Sequence, residues 1–171
     1  MIDRRARSIQ GLPGKAEDYP DTLHRLLKAL WDEDLPTAEF LEFVQREHGT
    51  TRSSARSVLY NALRVLGFVE CDRVSVGLTE TGLRYVESPT QELIQQALID
   101  NVFGIHELLE ILERRPRRIG EILPLMQQKG FAWESDWQVR YRLKWLRTAG
   151  LVQRLSEAES SGRYPEWSLA E

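Results

Sequence analysis

The 171-residue sequence is poor in the residues that build covalent or metal-bound scaffolds, since it holds one cysteine, Cys71, and three histidines. A single cysteine excludes a disulfide within the chain and a zinc site made of several cysteines. The histidines, His24, His48 and His106, lie far apart and have no carboxylate or cysteine partner at ligand spacing. We therefore expect no metal, no cofactor and no catalytic residue, and we predict that the protein is not an enzyme.

Long apolar runs are also missing, because no segment approaches the ~20 consecutive apolar residues that a membrane span needs. The basic N-terminus MIDRRARSIQGLPG has no apolar stretch behind it and does not resemble a secretory signal. The balance of 42% hydrophobic and 29% charged residues is typical of a soluble globular chain. These features predict a cytoplasmic protein with no membrane contact and no small-molecule substrate.

Charge is distributed unevenly along a chain whose formal net charge is only -3. Residues 21–88 carry eight Lys/Arg against eleven Asp/Glu, and residues 89–113 carry five acids and no base. Residues 114–163 reverse the balance, with eleven Lys/Arg against five acids. This asymmetry indicates one part that faces an anionic partner such as DNA and another that faces a different partner.

The first half is predicted to be an arm followed by three helices and a hairpin. Glycine and proline without periodicity indicate a flexible arm over residues 1–20. Apolar spacing predicts helices from Asp21, from Thr37 and from Thr50 or Thr51 to about Leu66, with Gly49 and Gly67 as helix ends. Extended pieces at 68–71 and 74–78 complete a unit over residues 21–88, in the order of a winged helix.

The second half repeats this order after a linker helix over residues 89–104. Ser88-Pro89-Thr90-Gln91 predicts the start of that helix, with Ser88 as its cap, and Gly104 interrupts it. Residues 105–171 are then predicted to form three helices, the first ending at Arg115, the second over 119–128 and the third from Ser135 to Ala149. Two strands are predicted to follow at 151–155 and 164–169.

An internal repeat supports two related units. LRVLGFVE at 63–70 and LRTAGLVQ at 146–153 share the pattern L-R-x-x-G-[F/L]-V-[E/Q]. Upstream of this pattern, the apolar positions predicted to face the core in the third helix of each unit are displaced by one residue between the two halves. The predicted fold is therefore mostly α with small β-hairpin wings, namely two winged-helix (helix-turn-helix) units in tandem joined by a linker helix.

The segments LRVLGFVE…VSVGLTETGLRYVES and VRYRLKWLRTAGLVQRL resemble tandem winged-helix DNA-binding modules of prokaryotic restriction and phage-defence proteins. The resemblance covers about residues 21–171. It implies a DNA-binding recognition or regulatory component of a defence, restriction or transcription system. The chain has no Walker A motif and no Asp…Glu-x-Lys nuclease core, so the resemblance implies that any catalytic part lies on another chain.

Candidate DNA contacts concentrate on the second unit. Arg140, Lys144 and Arg147 follow i, i+4, i+7 spacing and predict a basic strip on its third helix, the helix that enters the major groove in winged-helix proteins. Gln138 stands near the helix start and is a candidate for base readout together with Arg140. Further phosphate contacts are predicted for the following residues: Arg117, Arg118 and Arg163. A solvated helix face is the alternative explanation of the strip.

The first unit offers a weaker set, Arg52, Arg56 and Asn61 on the outer side of its third helix, beside acids that repel phosphate. The second unit also contains an aromatic group, made of Trp133, Trp137, Tyr141 and Trp145. This group suits either base stacking or core packing, and Trp137 is the member expected at the surface.

Two functions remain open on the sequence. The first is binding of double-stranded DNA, alone or as a homodimer whose basic helices lie about one DNA turn apart, ~34 Å. The second is a protein-interaction role, because acidic tandem winged-helix proteins of this length also resemble the kleisin-binding subunits of chromosome-organising complexes. The acid-only segment 89–113 favours the second function, and the strip of Arg140, Lys144 and Arg147 favours the first.

Overall fold

The computed structural model describes residues 7–156 and 164–171, which form a mostly helical fold with two small antiparallel sheets. The helices of these residues are α1 (Tyr19–Lys28), α2 (Thr37–His48), α3 (Arg52–Val58), α4 (Glu80–Glu87), α5 (Gln91–Asn101), α6 (Ile105–Arg114), α7 (Ile119–Gln128) and α8 (Trp137–Thr148). The strands are β1 (Leu35–Pro36), β2 (Val69–Cys71), β3 (Ser75–Leu78), β4 (Val152–Arg154) and β5 (Trp167–Leu169).

The two sheets have equivalent topologies. In the first sheet the strand order is β1-β3-β2, and Val76 of the central strand pairs with both Leu35 and Cys71. In the second sheet β5 pairs with β4, and Trp167 of β5 also forms an isolated bridge with Arg117. Each half therefore runs helix, extended residue, helix, helix and two strands, with the last strand in the middle.

The sequence L-T-E-T-G at 78–82 joins the first hairpin to α4 by specific contacts. The Thr79 hydroxyl accepts from the Gly82 N–H at 3.1 Å and donates to the Gly67 carbonyl at 2.6 Å. A Cβ on Gly82 would overlap the carbonyl oxygen of Phe68, so only glycine allows α4 to approach the hairpin this closely. The sequence pattern places residues 80–88 in unit 1 but does not predict α4.

A π-helical turn, Leu59–Leu63, continues α3. The N–H of Arg64 donates to the carbonyl of Leu59, five residues back, at 3.0 Å. Such a turn inserts one residue into a helix. This insertion explains why the two halves of the repeat fall one residue out of step upstream of Leu63.

Residues 7–18, called the strap below, pack between the two halves and differ from the flexible arm that their composition indicated. Ile9, Leu12 and Ala16 are buried in the core. The Gln10 N–H donates to the Asn61 carbonyl at 2.9 Å, and the Trp145 Nε1–H donates to the Gln10 carbonyl at 2.8 Å. The strap is therefore held by long-range contacts.

Helix α5 connects two helix ends. One is the end of α8, and the other is the end of the α3 segment, which is α3 with its π-helical continuation and the turn that follows, residues 52–66. Asn101 donates to the Leu66 carbonyl at 3.0 Å, at the end of that segment. Gln95 donates to the Ala149 carbonyl at 2.7 Å, at the end of α8. These side chains satisfy carbonyls that a helix C-terminus leaves without a partner.

Two helix starts differ from the sequence prediction. Thr90, not Ser88, caps α5 by accepting from Leu93 N–H at 3.4 Å, and α8 begins after Asp136 instead of at a Ser135 cap. Across the described part of the chain, every helix is too short or too polar to cross a bilayer.

Candidate functional site: two basic grooves

The first site, groove 1, is a cavity of about 320 Å³ between the α3 segment and the β2–β3 hairpin. Tyr60 stands at its centre, with the guanidinium carbons of Arg56 and Arg64 at 5.6 and 5.1 Å from its ring centroid. Arg73 lines the hairpin side. None of these three arginines forms an ion pair with a described residue. Groove 1 therefore presents three cationic forks available to an anion.

Asp72 is the one acidic side chain among the described residues that line groove 1. Its carboxylate accepts from the backbone N–H groups of Val74 at 2.6 Å and Ser75 at 2.9 Å. These bonds hold the pKa of Asp72 below its ordinary value. The Tyr60 hydroxyl donates to the Asp72 carbonyl at 3.2 Å and ties the helix to the hairpin.

The second site, groove 2, is a cavity of about 700 Å³ between α8 and the second hairpin. The cationic side chains along it are Lys15, Arg140, Lys144, Arg147 and Arg154. Three aromatic residues share its wall: Trp137, Tyr141 and Trp167. The rings of Trp137 and Tyr141 stack with centroids 5.9 Å apart.

Two of the predicted basic residues of groove 2 are paired with acids. Arg140 makes a two-pronged contact with Asp136, with its Nε and Nη2 at 3.0 and 2.8 Å from one carboxylate oxygen. Arg147 forms an ion pair with Glu17 of the strap. Lys144 makes no ion pair within the described residues. The predicted strip is therefore brought together, but two of its charges already have partners.

Grooves 1 and 2 occupy equivalent places in the two halves. Counting the inserted residue of the π-helical turn, Arg56 aligns with Arg140 and Tyr60 with Lys144, while Arg64 aligns with Arg147 in the shared L-R pattern. The burial pattern agrees, since Ala55 and Leu59 are buried as are their counterparts Val139 and Leu143. Two arginine positions therefore recur beside the hairpin in both halves.

Two predicted contact residues hold the strap, Gln138 through its side chain and Asn61 through its backbone. Gln138 Oε1 accepts from the Ile9 N–H at 3.1 Å, and its Nε2 donates to the Ser8 hydroxyl at 3.2 Å. Asn61 contributes its carbonyl to Gln10. In this conformation, the Gln138 amide is engaged within the chain.

The remaining predicted arginines have varied environments. Arg52 is exposed at the start of α3. The Arg117 side chain is 18% exposed, and its Nη1 lies 3.7 Å from Glu121. Arg118 Nε lies 3.9 Å from a carboxylate oxygen of Glu166. Arg163 lies outside the described residues.

The aromatic group divides between core and surface. Trp145 is fully buried and Trp133 is 8% exposed, so both belong to the core. Trp137 is 59% exposed, as expected, and Tyr141 is half-buried beneath it.

Sequence reasoning missed six cationic or aromatic groove residues. They are Tyr60, Arg64 and Arg73 in groove 1, and Lys15, Arg154 and Trp167 in groove 2. The i, i+4, i+8 spacing of Arg56, Tyr60 and Arg64 was the available signal for groove 1. Lys15 had no such signal, because its place depends on the strap.

No group of three or more His, Cys, Asp or Glu side chains within residues 7–156 and 164–171 is arranged to hold a metal ion. Comparisons with protein-family models, with curated proteins and with solved structures find no match for this chain. What the fold defines is the class of mostly helical proteins with small antiparallel sheets.

Proposed function

We propose that the chain binds double-stranded DNA through grooves 1 and 2. The observation that carries this proposal is the recurrence of arginine at two equivalent positions beside the hairpins, at Arg56 and Arg64 in groove 1 and at Arg140 and Arg147 in groove 2. Solubility requires charges on a surface but does not require them at equivalent positions of two repeats. A shared ligand with regularly spaced negative charge explains the recurrence.

The proposed fold behind this function is a pair of winged-helix units. The element order of each half and the β1-β3-β2 strand order support it. In such units α3 and α8 are the recognition helices, and the two hairpins are the wings. A winged helix puts its third helix towards the major groove and its wing towards the backbone, so the space between them follows the phosphates.

The chemistry of the grooves suits phosphate. Arginine offers a planar fork that matches two phosphate oxygens, and the exposed ring of Trp137 suits a sugar or a base. Asp136 and Glu17 pair with Arg140 and Arg147, and we propose that phosphates replace these carboxylates by exchange. The proposed role is therefore binding and recognition, not catalysis. On the sequence resemblance, we place this role in a prokaryotic defence, restriction or transcription system.

Fluorescence anisotropy of a labelled 30-base-pair duplex tests the proposal. The six groove cations without a described ion pair predict a slope of about -5 in log affinity against log salt, at about -0.9 per neutralised phosphate. Those cations are Lys15, Arg56, Arg64, Arg73, Lys144 and Arg154. A chain that binds no duplex at low salt would exclude the DNA function.

Two double variants separate the grooves. Arg56→Gln with Arg64→Gln, and Lys144→Gln with Arg154→Gln, are each expected to flatten the salt slope by about 2, because each removes two phosphate partners. The matched control removes two exposed cations that line neither groove, Lys28→Gln with Arg84→Gln. Equal effects of all three double variants would mean that the grooves have no special role.

A protein-interaction role is the second candidate, and the acid-only segment 89–113 favours it. Glu92, Asp100 and Glu113 are exposed there without an ion pair to a described residue. Such a surface fits a basic segment of a partner protein, as expected for the kleisin-binding resemblance. Replacement of these three acids by glutamine would then abolish capture of that partner and leave duplex binding intact.

A further inference from the structure

The α3 segment and α8 lie close together because they share hydrogen bonds to a single residue. Gln10 donates its N–H to Asn61 and accepts from the Trp145 indole through its carbonyl. The helix radius, the reach of a tryptophan side chain and these two bonds together limit the distance between the helix axes at Asn61 and Trp145 to about 20 Å.

A second tie joins the C-terminal ends of the same two helices. Asn101 holds the end of the α3 segment, at Leu66, and Gln95 holds the end of α8, at Ala149. The two side chains are six positions apart on one helix, which is about 9 Å along its axis. The strap and α5 therefore fix the two helices against each other independently.

A further cavity lies between the two helices. A third cavity of about 430 Å³, the junction pocket, is lined by Ser53 and Ser57 of α3 on one side and by Tyr141 and Lys144 of α8 on the other. Tyr141 and Lys144 also line groove 2, and Ser53 and Ser57 lie on the same outer face of α3 as Arg56. No acidic side chain of the described residues lines this pocket. A phosphate-bearing ligand therefore meets no repulsive charge on passing from one helix to the other.

This spacing excludes one arrangement on DNA. Successive major grooves on one face of straight B-DNA are ~34 Å apart, which exceeds the separation of about 20 Å between α3 and α8. The two helices of one chain therefore cannot occupy successive major grooves. Side chains reaching outwards into grooves 1 and 2 extend the whole surface to roughly 35 Å, about one duplex turn.

We infer that grooves 1 and 2, with the junction pocket between them, form one composite surface that binds a single turn of duplex DNA. This inference rests on the proposed DNA function and specifies its footprint. Both units contact the same ~10–12 base pairs, and the hydroxyl groups of Ser53 and Ser57 face the DNA between the two sets of cations.

Duplex length combined with the groove variants tests the inference. We expect the wild-type chain to bind a 12-base-pair duplex within about three-fold of its affinity per site for a 24-base-pair duplex. On the 12-base-pair duplex, both double variants, Arg56→Gln with Arg64→Gln and Lys144→Gln with Arg154→Gln, are expected to lose at least about five-fold in affinity. The control is again Lys28→Gln with Arg84→Gln, expected to change affinity less than two-fold.

The outcomes separate the inference from the proposed function. Binding to 24 base pairs that falls more than ten-fold on 12 base pairs overturns the single-turn surface and leaves DNA binding standing. The single-turn surface is also overturned if one double variant weakens binding to 24 base pairs but not to 12, because that unit would then contact a different turn. Absence of binding to 24- and 30-base-pair duplexes alike overturns the proposed function and the inference with it.

Discussion

Replacing Arg142 by methionine is expected to lower the free energy of unfolding by about 3 kcal/mol, although it removes a buried charge. The Arg142 side chain is fully buried in α8. Its guanidinium donates to the Phe103 carbonyl at 2.9 Å, to the Gln138 carbonyl at 3.1 Å, to Gln138 Oε1 at 2.7 Å and to the Arg7 carbonyl at 3.1 Å. The cation also lies 4.3 Å from the centroid of the Trp133 ring. It therefore joins α8, the α5–α6 connection and the strap.

The magnitude follows from two opposing contributions. Four hydrogen bonds from a charged donor, each worth about 1.5–3 kcal/mol, disappear and leave their acceptors partly unpaired. Against this, burial of a guanidinium without a carboxylate costs several kcal/mol, and this burial lowers the pKa of Arg142 to about 9. Methionine regains some apolar burial. The balance of about 3 kcal/mol corresponds to a fall in Tm of about 6–12 °C for a chain of this size.

Urea unfolding followed by tryptophan fluorescence measures the change. Arg140→Met is the matched control, since Arg140 is two residues away and its side chain is 48% exposed, with an i,i+4 ion pair to Asp136. That pair is worth less than about 0.5 kcal/mol. DNA affinity is expected to follow the reverse order, with Arg140→Met the weaker binder. An Arg142→Met variant as stable as wild type would refute the reasoning and show that the desolvation cost cancels the hydrogen bonds.

Three further perturbations probe the strap and its surroundings. Glu17→Gln removes the ion-pair partner of Arg147. The variant is expected to bind duplex DNA several-fold more tightly in the anisotropy assay, with a salt slope steeper by about 0.9. An unchanged slope would mean that Arg147 contacts no phosphate. Gly11→Ala is expected to lower the free energy of unfolding by about 1–3 kcal/mol, because a Cβ there would overlap the Tyr19 hydroxyl. Adding Tyr19→Phe to this variant should restore part of the loss, measured by urea unfolding. Burial lowers the pKa of His48 below 6.5 in the folded chain. As the pH falls, His48 is therefore protonated in the unfolded state before the folded state, and the free energy of unfolding should decrease from pH 7 to pH 5. His48→Gln should flatten that pH dependence, and an unaltered profile would assign it to the carboxylates.

The features predicted correctly from sequence are those that local chemistry determines. Gly49, Gly67 and Gly150 each end a helical segment with a positive φ, as glycine at these places predicts. Thr51 caps α3 through the Ser54 N–H at 3.1 Å. The hairpins follow directly from the L-R-x-x-G-[F/L]-V-[E/Q] repeat. In each case the deciding atoms lie within a few residues of one another.

The features that were missed depend on contacts between distant residues. The strap has the glycine and proline content of a linker, yet Gln10 and Trp145 are 135 residues apart when they bond. Arg147 looked free on a helical wheel because its acid, Glu17, comes from the strap. Pairing of Arg140 with Asp136 was open to prediction, since i,i+4 spacing brings these side chains together. Site residues were therefore identifiable by type, but the charge available to a ligand was not.

The π-helical turn links the repeat to the site. Without its extra residue, an even alignment of the halves would put Ser57 where the second half has Arg140, and groove 1 would lack that arginine. Asn61 lies within this turn, and its carbonyl accepts from the Gln10 N–H of the strap. The extra residue therefore brings Arg56 into groove 1, and the same turn holds the acceptor that ties the strap to the α3 segment. Single π-helical turns are frequent at functional sites, which agrees with this position beside groove 1.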